Sequence, residues 1–124
     1  MIVLDASVLI AHLIDDAHAA RALEIIDTEE ELLIHPMTLA ECLVGPVRVN
    51  RESEALATID ALGIEQLPFS DRQPVVLARL RASTPLKLPD CCVLAAALQT
   101  GATLATFDTT LARVATEHGV TVTG

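Results

Sequence analysis

Aromatic side chains are nearly missing from this 124-residue chain, which has two phenylalanines, Phe69 and Phe107, and neither tryptophan nor tyrosine. A surface that stacks successive nucleic-acid bases needs several such rings, so a platform of that kind is excluded. Basic residues are also scarce. Eight lysines and arginines stand against 17 aspartates and glutamates, a net charge of −9. That excludes an overall basic clamp on nucleic acid but not a local basic stripe. Cysteines number three, with Cys91 and Cys92 adjacent and no Cys-x-x-Cys pair. Small buried thiols are therefore expected rather than zinc. No apolar run has the length and purity of a membrane span. The longest uncharged stretch, Cys91 to Phe107, contains Gln99, Gly101 and several threonines. The first residues are apolar, but Asp5 interrupts them and no basic residue precedes Arg21, which is not the pattern of a secretory leader. A soluble, cytoplasmic protein is expected.

Apolar residues make up 52% of the chain, enough for a packed core. No segment repeats at a fixed period, and at about 100–200 residues per domain the length predicts one domain over residues 1–124. Short apolar runs at Ile2–Leu4, Leu32–Ile34, Ile64–Leu67, Thr103–Thr106 and Val120–Val122 read as strands. Between them lie helical patterns: one through Leu9 and Leu13, then Asp16–Ile26, Met37–Val47, Ser53–Leu62, Ser70–Ala82, Pro89–Thr100 and Thr109–His118. The acidic run Asp27–Glu31 is a solvated turn. Pro89 opens a helix that Gly101 closes, the usual asymmetry of helix punctuation. Strands that are apolar without alternation, separated by helices, predict an α/β fold: a three-layer α/β/α sandwich with a central, mainly parallel sheet. Right-handed crossovers limit the strand order without fixing it.

In open parallel sheets ligands bind beyond the carboxyl ends of the strands. Asp5 directly follows Ile2-Val3-Leu4, and Asp108 lies just past Thr103–Thr106. Asp5 sits between two apolar runs, where a carboxylate is costly unless paired or metal-bound. Asp108, before Thr109-Thr110, is also a good helix N-cap. Glu41 lies inside an otherwise apolar helix, and Asp90 follows Pro89 in a first helical turn, where it also suits the helix dipole. These acids fall at element ends that a doubly wound sheet brings to one edge. Two carboxylates about 5 Å apart repel by roughly 3 kcal/mol at an effective dielectric of 20, so four ionised together require a cation. Oxygen ligands of this kind suit Mg²⁺, with Mn²⁺ as a substitute, and such ions assist phosphodiester hydrolysis. Ser7 and Thr106, two residues from Asp5 and Asp108 respectively, carry hydroxyls able to orient a carboxylate or a water. A helix cap for Ser7 and simple β-propensity for Thr106 are the plainer alternatives.

The segments Ile2-Val3-Leu4-Asp5-Ala6-Ser7, the helix bearing Glu41, Leu88-Pro89-Asp90 with its Ala-rich helix, and Thr106-Phe107-Asp108 together resemble the PIN-domain ribonucleases. In length and spacing they are similar to the VapC-type toxins of toxin–antitoxin pairs. The resemblance spans essentially the whole chain. It implies a PIN-like fold and Mg²⁺-dependent endoribonuclease activity, with Asp5, Glu41, Asp90 and Asp108 as an acidic quartet. Within it Asp5, Asp90 and Asp108 would ligate metal, and Glu41 would ligate or hold a water. It also implies an RNA substrate, a small cognate antitoxin and a homodimer. Some relatives carry a further acid after the last one; here Thr109 and Thr110 stand there, which puts a fully occupied second metal site in question.

Other readings fit less well. A receiver domain needs adjacent acids after the first strand and an Asp ending a middle strand, but Leu32–Ile34 ends in His35. A haloacid-dehalogenase-type phosphatase needs Asp-x-Asp, whereas this chain has Asp5-Ala6-Ser7. No local signature supports a Cys–His nucleophile pair. The remaining rival is a PIN-like binding module without catalysis. Arg48 and Arg51, and Arg72, Arg79, Arg81 and Lys87, are candidate phosphate contacts.

Overall fold

The computed structural model describes residues 1–124. Five short strands, β1 (Ile2–Leu4), β2 (Leu32–Ile34), β3 (Ile64–Gln66), β4 (Thr103–Ala105) and β5 (Val122–Thr123), form one sheet in the order β3-β2-β1-β4-β5. Every pairing is parallel, with Ile2 opposite Leu32 and Thr103, and Leu4 opposite Ala105. The crossovers are α1 (Ala6–Ile14) with α2 (Ala19–Ile26), α3 (Pro36–Arg48) with α4 (Glu52–Ala61), α5 (Gln73–Ser83) with α6 (Leu88–Thr100), and α7 (Thr109–Glu117).

The lack of alternation in β1 and β2 has its cause in this order. Both strands are interior to the sheet, and all six of their residues are buried, because helices cover both faces. Val3, Leu33 and Leu104 pack with α5, α6 and α7. Their neighbours Ile2, Leu4, Leu32 and Ala105 point the other way, into α1 and α2, the period-2 consequence of a pleated strand. β3 is an edge strand and is largely exposed. The Ala-rich middle of α6, Cys91–Ala97, is buried throughout; small side chains let this helix lie close on β1 and β4.

Three elements start two or three residues later than the sequence pattern predicts, one of them α5, expected from Ser70 and found from Gln73. The helix expected from Asp16 begins at Ala19: Asp15 is left-handed (φ 52°), and Asp16 Oδ1 accepts the His18 amide at 2.7 Å, a local turn that competes with helix. The last strand, expected from Val120, starts at Val122. Gly119 has φ 80° and the Val120 amide donates to Ala115 O, so Val120 closes α7 and fills the core instead of pairing. No helix is long and apolar enough to cross a membrane.

Candidate active site at the carboxyl edge of the sheet

Strands run outward from β1 in two directions, β2 and β3 on one side, β4 and β5 on the other. The order therefore reverses between β1 and β4, and a crevice forms at their carboxyl ends. Asp5 leaves β1 and Asp108 follows β4, on either side of that reversal. α6 leads into the parallel strand β4 and so runs antiparallel to it, which puts Asp90, in its first turn, at the same edge. Glu41 reaches it from the second turn of α3, which starts where β2 ends.

Asp5 is only 6% exposed, and its burial is offset by hydrogen bonds. Ser7 Oγ and Thr106 Oγ1 both donate to Asp5 Oδ2 at 2.7 Å. Bonds to a charged acceptor are worth about 1.5–3 kcal/mol each. The same two hydroxyls accept successive backbone amides of the β4–α7 loop, Phe107 N on Ser7 Oγ and Asp108 N on Thr106 Oγ1, each at 3.0 Å. One carboxylate oxygen thus ties the end of β1, the start of α1 and the loop carrying Asp108 into one knot, while Oδ1 makes no hydrogen bond within the protein. Ser7 does not cap α1, since the N-cap position is Asp5 and has no side-chain cap bond. Asp108 does act as a cap: its Oδ1 accepts Leu111 N at 2.9 Å. This leaves Oδ2 for another partner.

Glu41 and Asp90, both half-buried, have no hydrogen-bonding or ion-pair partner of this kind. Burial, then the charges of Asp5 and Asp90, push the Glu41 carboxyl above its ordinary value. Burial, then Asp5 and Asp108, do the same to Asp90, with Lys87 pulling the other way. The acids therefore share one electrostatic neighbourhood, although no three of them gather on a single ion position. Such a donor set fits a hard divalent cation that keeps several of its waters and takes one or two carboxylates directly. It does not describe an all-protein cage.

The thiols are not nucleophiles at ordinary pH. Burial first, then Glu41 and Asp5, hold Cys42 at about 12, and burial first, then Cys91 and Glu41, hold Cys92 at about 11. All three cysteines are unpaired and buried. Of the candidate phosphate contacts, Lys87 lies by Asp90 and Arg51 shares a groove with Glu41. Arg48, Arg72, Arg79 and Arg81 line neither cleft beside the acids. Two further residues beside the site gave little signal in the sequence. Arg21 stands in a cleft with Asp108, reached only because α2 packs by the end of β5. Thr38, fully buried one turn before Glu41, has a hydroxyl with no partner; its i, i+3 spacing from Glu41 was the available clue.

Two cavities flank the acids. A groove of about 760 Å³ between α1, α3 and α4 has Glu41 on its wall beside Ile10, Leu13, Val44 and Pro46. A smaller cleft of about 510 Å³ borders Asp108 on the β4–β5 side.

Comparison with known proteins agrees with this architecture. A toxin–antitoxin complex from Klebsiella pneumoniae superposes with a TM-score of 0.76 at 24% identity, over 90% of each chain. VapBC2 from Rickettsia felis, bound to a DNA fragment from its promoter, gives 0.72 at 17% identity over 99% of this chain and 98% of that one. FitAcB from Neisseria gonorrhoeae gives 0.72 at 21% identity, covering 100% and 97%. These likenesses establish the fold. No curated protein matches significantly by sequence. The family model of the PIN domain matches residues 2–117, and the chain belongs to the PIN domain family.

Proposed function

We propose that this chain is a metal-dependent endoribonuclease and the toxin of a toxin–antitoxin pair. The observation that carries the reading is the convergence of four carboxylates at the β1–β4 reversal, with Asp5 knotted in place by Ser7 and Thr106. Asp5 and Asp108 have oxygens left over for a cation, and Asp90 faces both charges. These three would hold Mg²⁺ or Mn²⁺, one or two directly and the rest through the ion's own waters, with Glu41 ligating or holding a water. A bound divalent ion lowers the pKa of a water and offsets charge on a phosphoryl oxygen. Asp5 presents its unbonded oxygen from a fixed position, so it reorganises little during the reaction. The Glu41 carboxyl, raised by burial and by the charges of Asp5 and Asp90, and the Asp90 carboxyl, raised by burial and by those of Asp5 and Asp108, are more basic than ordinary carboxylates, which suits acceptance of a proton from an attacking water. Lys87 stands ready to meet the phosphate backbone on the Asp90 side.

Two of the similar structures are described as toxin–antitoxin complexes or as VapBC, which supports a small protein partner for this chain. The groove beside Glu41 is lined by apolar side chains of α1 and α3 and ends in acid. That chemistry suits an amphipathic helix bearing a basic residue, whose cation would stand in for the metal. A homodimer within the cytoplasm completes the proposal.

The test is incubation of the purified chain with RNA in Mg²⁺, Mn²⁺ or a chelator, followed by sequencing of the ends. Defined cut sites that need the divalent ion and vanish in Asp90→Asn are expected. RNA left intact under every condition, by a folded chain that binds no metal, would assign the domain to the non-catalytic class.

A further inference from the structure

We infer that the cleft beyond Asp108 is a subsite for one unpaired RNA nucleotide, with its base on His18 and its phosphate on Arg21. This deepens the ribonuclease reading, on which it rests, by naming where the substrate is held. The cleft lies on the β4–β5 side of the acids, opposite the groove that ends at Glu41, and Thr106 and Asp108 form part of its wall. At about 510 Å³ it falls within the range of small-ligand pockets, roughly 300–1,000 Å³.

The chain has two phenylalanines, and one of them is here. Phe107 is half-buried against the core around Ile2, Leu4 and Ala105. His18 stacks on it with ring centroids 5.1 Å apart and planes 27° from parallel. His18 itself is exposed, so Phe107 is an anchored inner slab and His18 an outer one with a face left for a ring. A base would add a third layer. One stack is not a platform for successive bases, and the scarcity of aromatics still excludes that; a single position beside the acids is a different device. Stacking on a lone platform tolerates any base, because every base has a π-face.

Arg21 supplies the cation. Its Nη1 donates to Glu24 at 3.0 Å and its Nη2 to Thr123 Oγ1 at 3.2 Å. These bonds fix the guanidinium over the cleft and leave other N–H donors for a phosphate. The Arg21–Glu24 ion pair is exposed on both sides, so it contributes little by itself, and its geometric effect is to hold the fork in place. In a chain of net charge −9, attraction for RNA must be local. Arg21 is the one lysine or arginine in this cleft.

The test is a fluorescence titration of the full chain with an unstructured oligoribonucleotide carrying one 2-aminopurine, in Ca²⁺, followed by steady-state cleavage in Mg²⁺. Saturable quenching is expected. His18→Ala should weaken binding about tenfold and remove the quench, while His18→Phe restores both; His18 is exposed, so thermal melts should stay unchanged. Arg21→Gln should weaken binding and lower the salt slope by about one. In cleavage, His18→Ala should raise KM more than it lowers kcat. Equal affinity, quench and KM in His18→Ala, with RNA still cut, would overturn the subsite and leave the ribonuclease reading standing. A His18-dependent quench without any cleavage would keep the subsite and overturn the nuclease. If the variants bind RNA normally but lose affinity for a co-purified protein partner, the cleft belongs to that partner and the inference is wrong.

Discussion

Asp5 and Asp108 on one side, and Glu41 and Asp90 on the other, are the same chemistry held in two different ways. The strand-end pair is fixed by hydrogen bonds: Asp5 through Ser7 and Thr106, Asp108 through its cap on Leu111 and its amide on Thr106. The helix pair is placed by backbone alone, half-buried, and pushed toward the neutral form by burial and neighbouring acids. The first arrangement gives carboxylates that need no reorganisation. The second leaves unrelieved repulsion that a cation would remove. A site built from both is rigid where geometry matters and electrostatically strained where a charged ligand must be favoured.

The largest expected effect breaks the rigid half. Asp5→Asn keeps the shape and an oxygen for the two hydroxyls but removes the charge, and RNA cleavage should fall by more than about 10²-fold with the fold intact. Divalent metal at 100 times its dissociation constant is expected to stabilise the parent by about 2.7 kcal/mol, and this gain should largely vanish in the variant. Thermal melts with and without Mn²⁺, beside a cleavage assay, measure both. Full activity in Asp5→Asn would move the site elsewhere.

Asp108 separates two roles within the same pair. Asn caps helices about as well as Asp, so Asp108→Asn should melt like the parent while losing metal affinity and cleavage. Asp108→Ala should also lose about 1 kcal/mol of stability with the cap to Leu111. Chemical denaturation of both variants distinguishes them. Equal destabilisation by Asn and Ala would show that the carboxylate charge, not the cap, holds α7.

The smallest effect sharpens the strained half through pH. The carboxyls of Glu41 and Asp90 lie above their ordinary values of 4.5 and 3.8, so the folded state holds their protons more tightly than the unfolded chain. Their contribution to stability is fully present below those ordinary values and is lost as pH rises through the raised ones. In chelator, Asp90→Asn should therefore gain stability on the parent as pH climbs from about 4 toward neutral. Metal should narrow the gap. Parallel curves for the two proteins across that range would mean the strain is absent.

Much of this architecture was open to reading from local chemistry. Three apolar residues followed by Asp5 or by His35-Pro36, and a helix bracketed by Pro89 and Gly101, declare their elements because few other conformations satisfy them. The buried position of Asp5 was equally legible, since a carboxylate between apolar runs has few inexpensive places to go. Val120 was misleading because its side chain is apolar whichever way its amide bonds, and that amide went to Ala115. Thr38 gave little sign because a threonine in a helix is unremarkable until its hydroxyl is seen to lack a partner.

What the sequence determined by itself, then, is the parallel α/β class, the acids at element ends and the shortage of rings and cations. Periodicity, punctuation and charge are local or compositional properties and need no knowledge of neighbours. The tertiary structure alone decided the order β3-β2-β1-β4-β5, because several orders obey right-handed crossovers and only packing on both faces selects among them. It also decided that Thr106 would reach Asp5 across 101 residues and Arg21 would reach Thr123 across 102. Contacts at such separations come from strand order and helix placement, and nothing in the intervening chain encodes them locally.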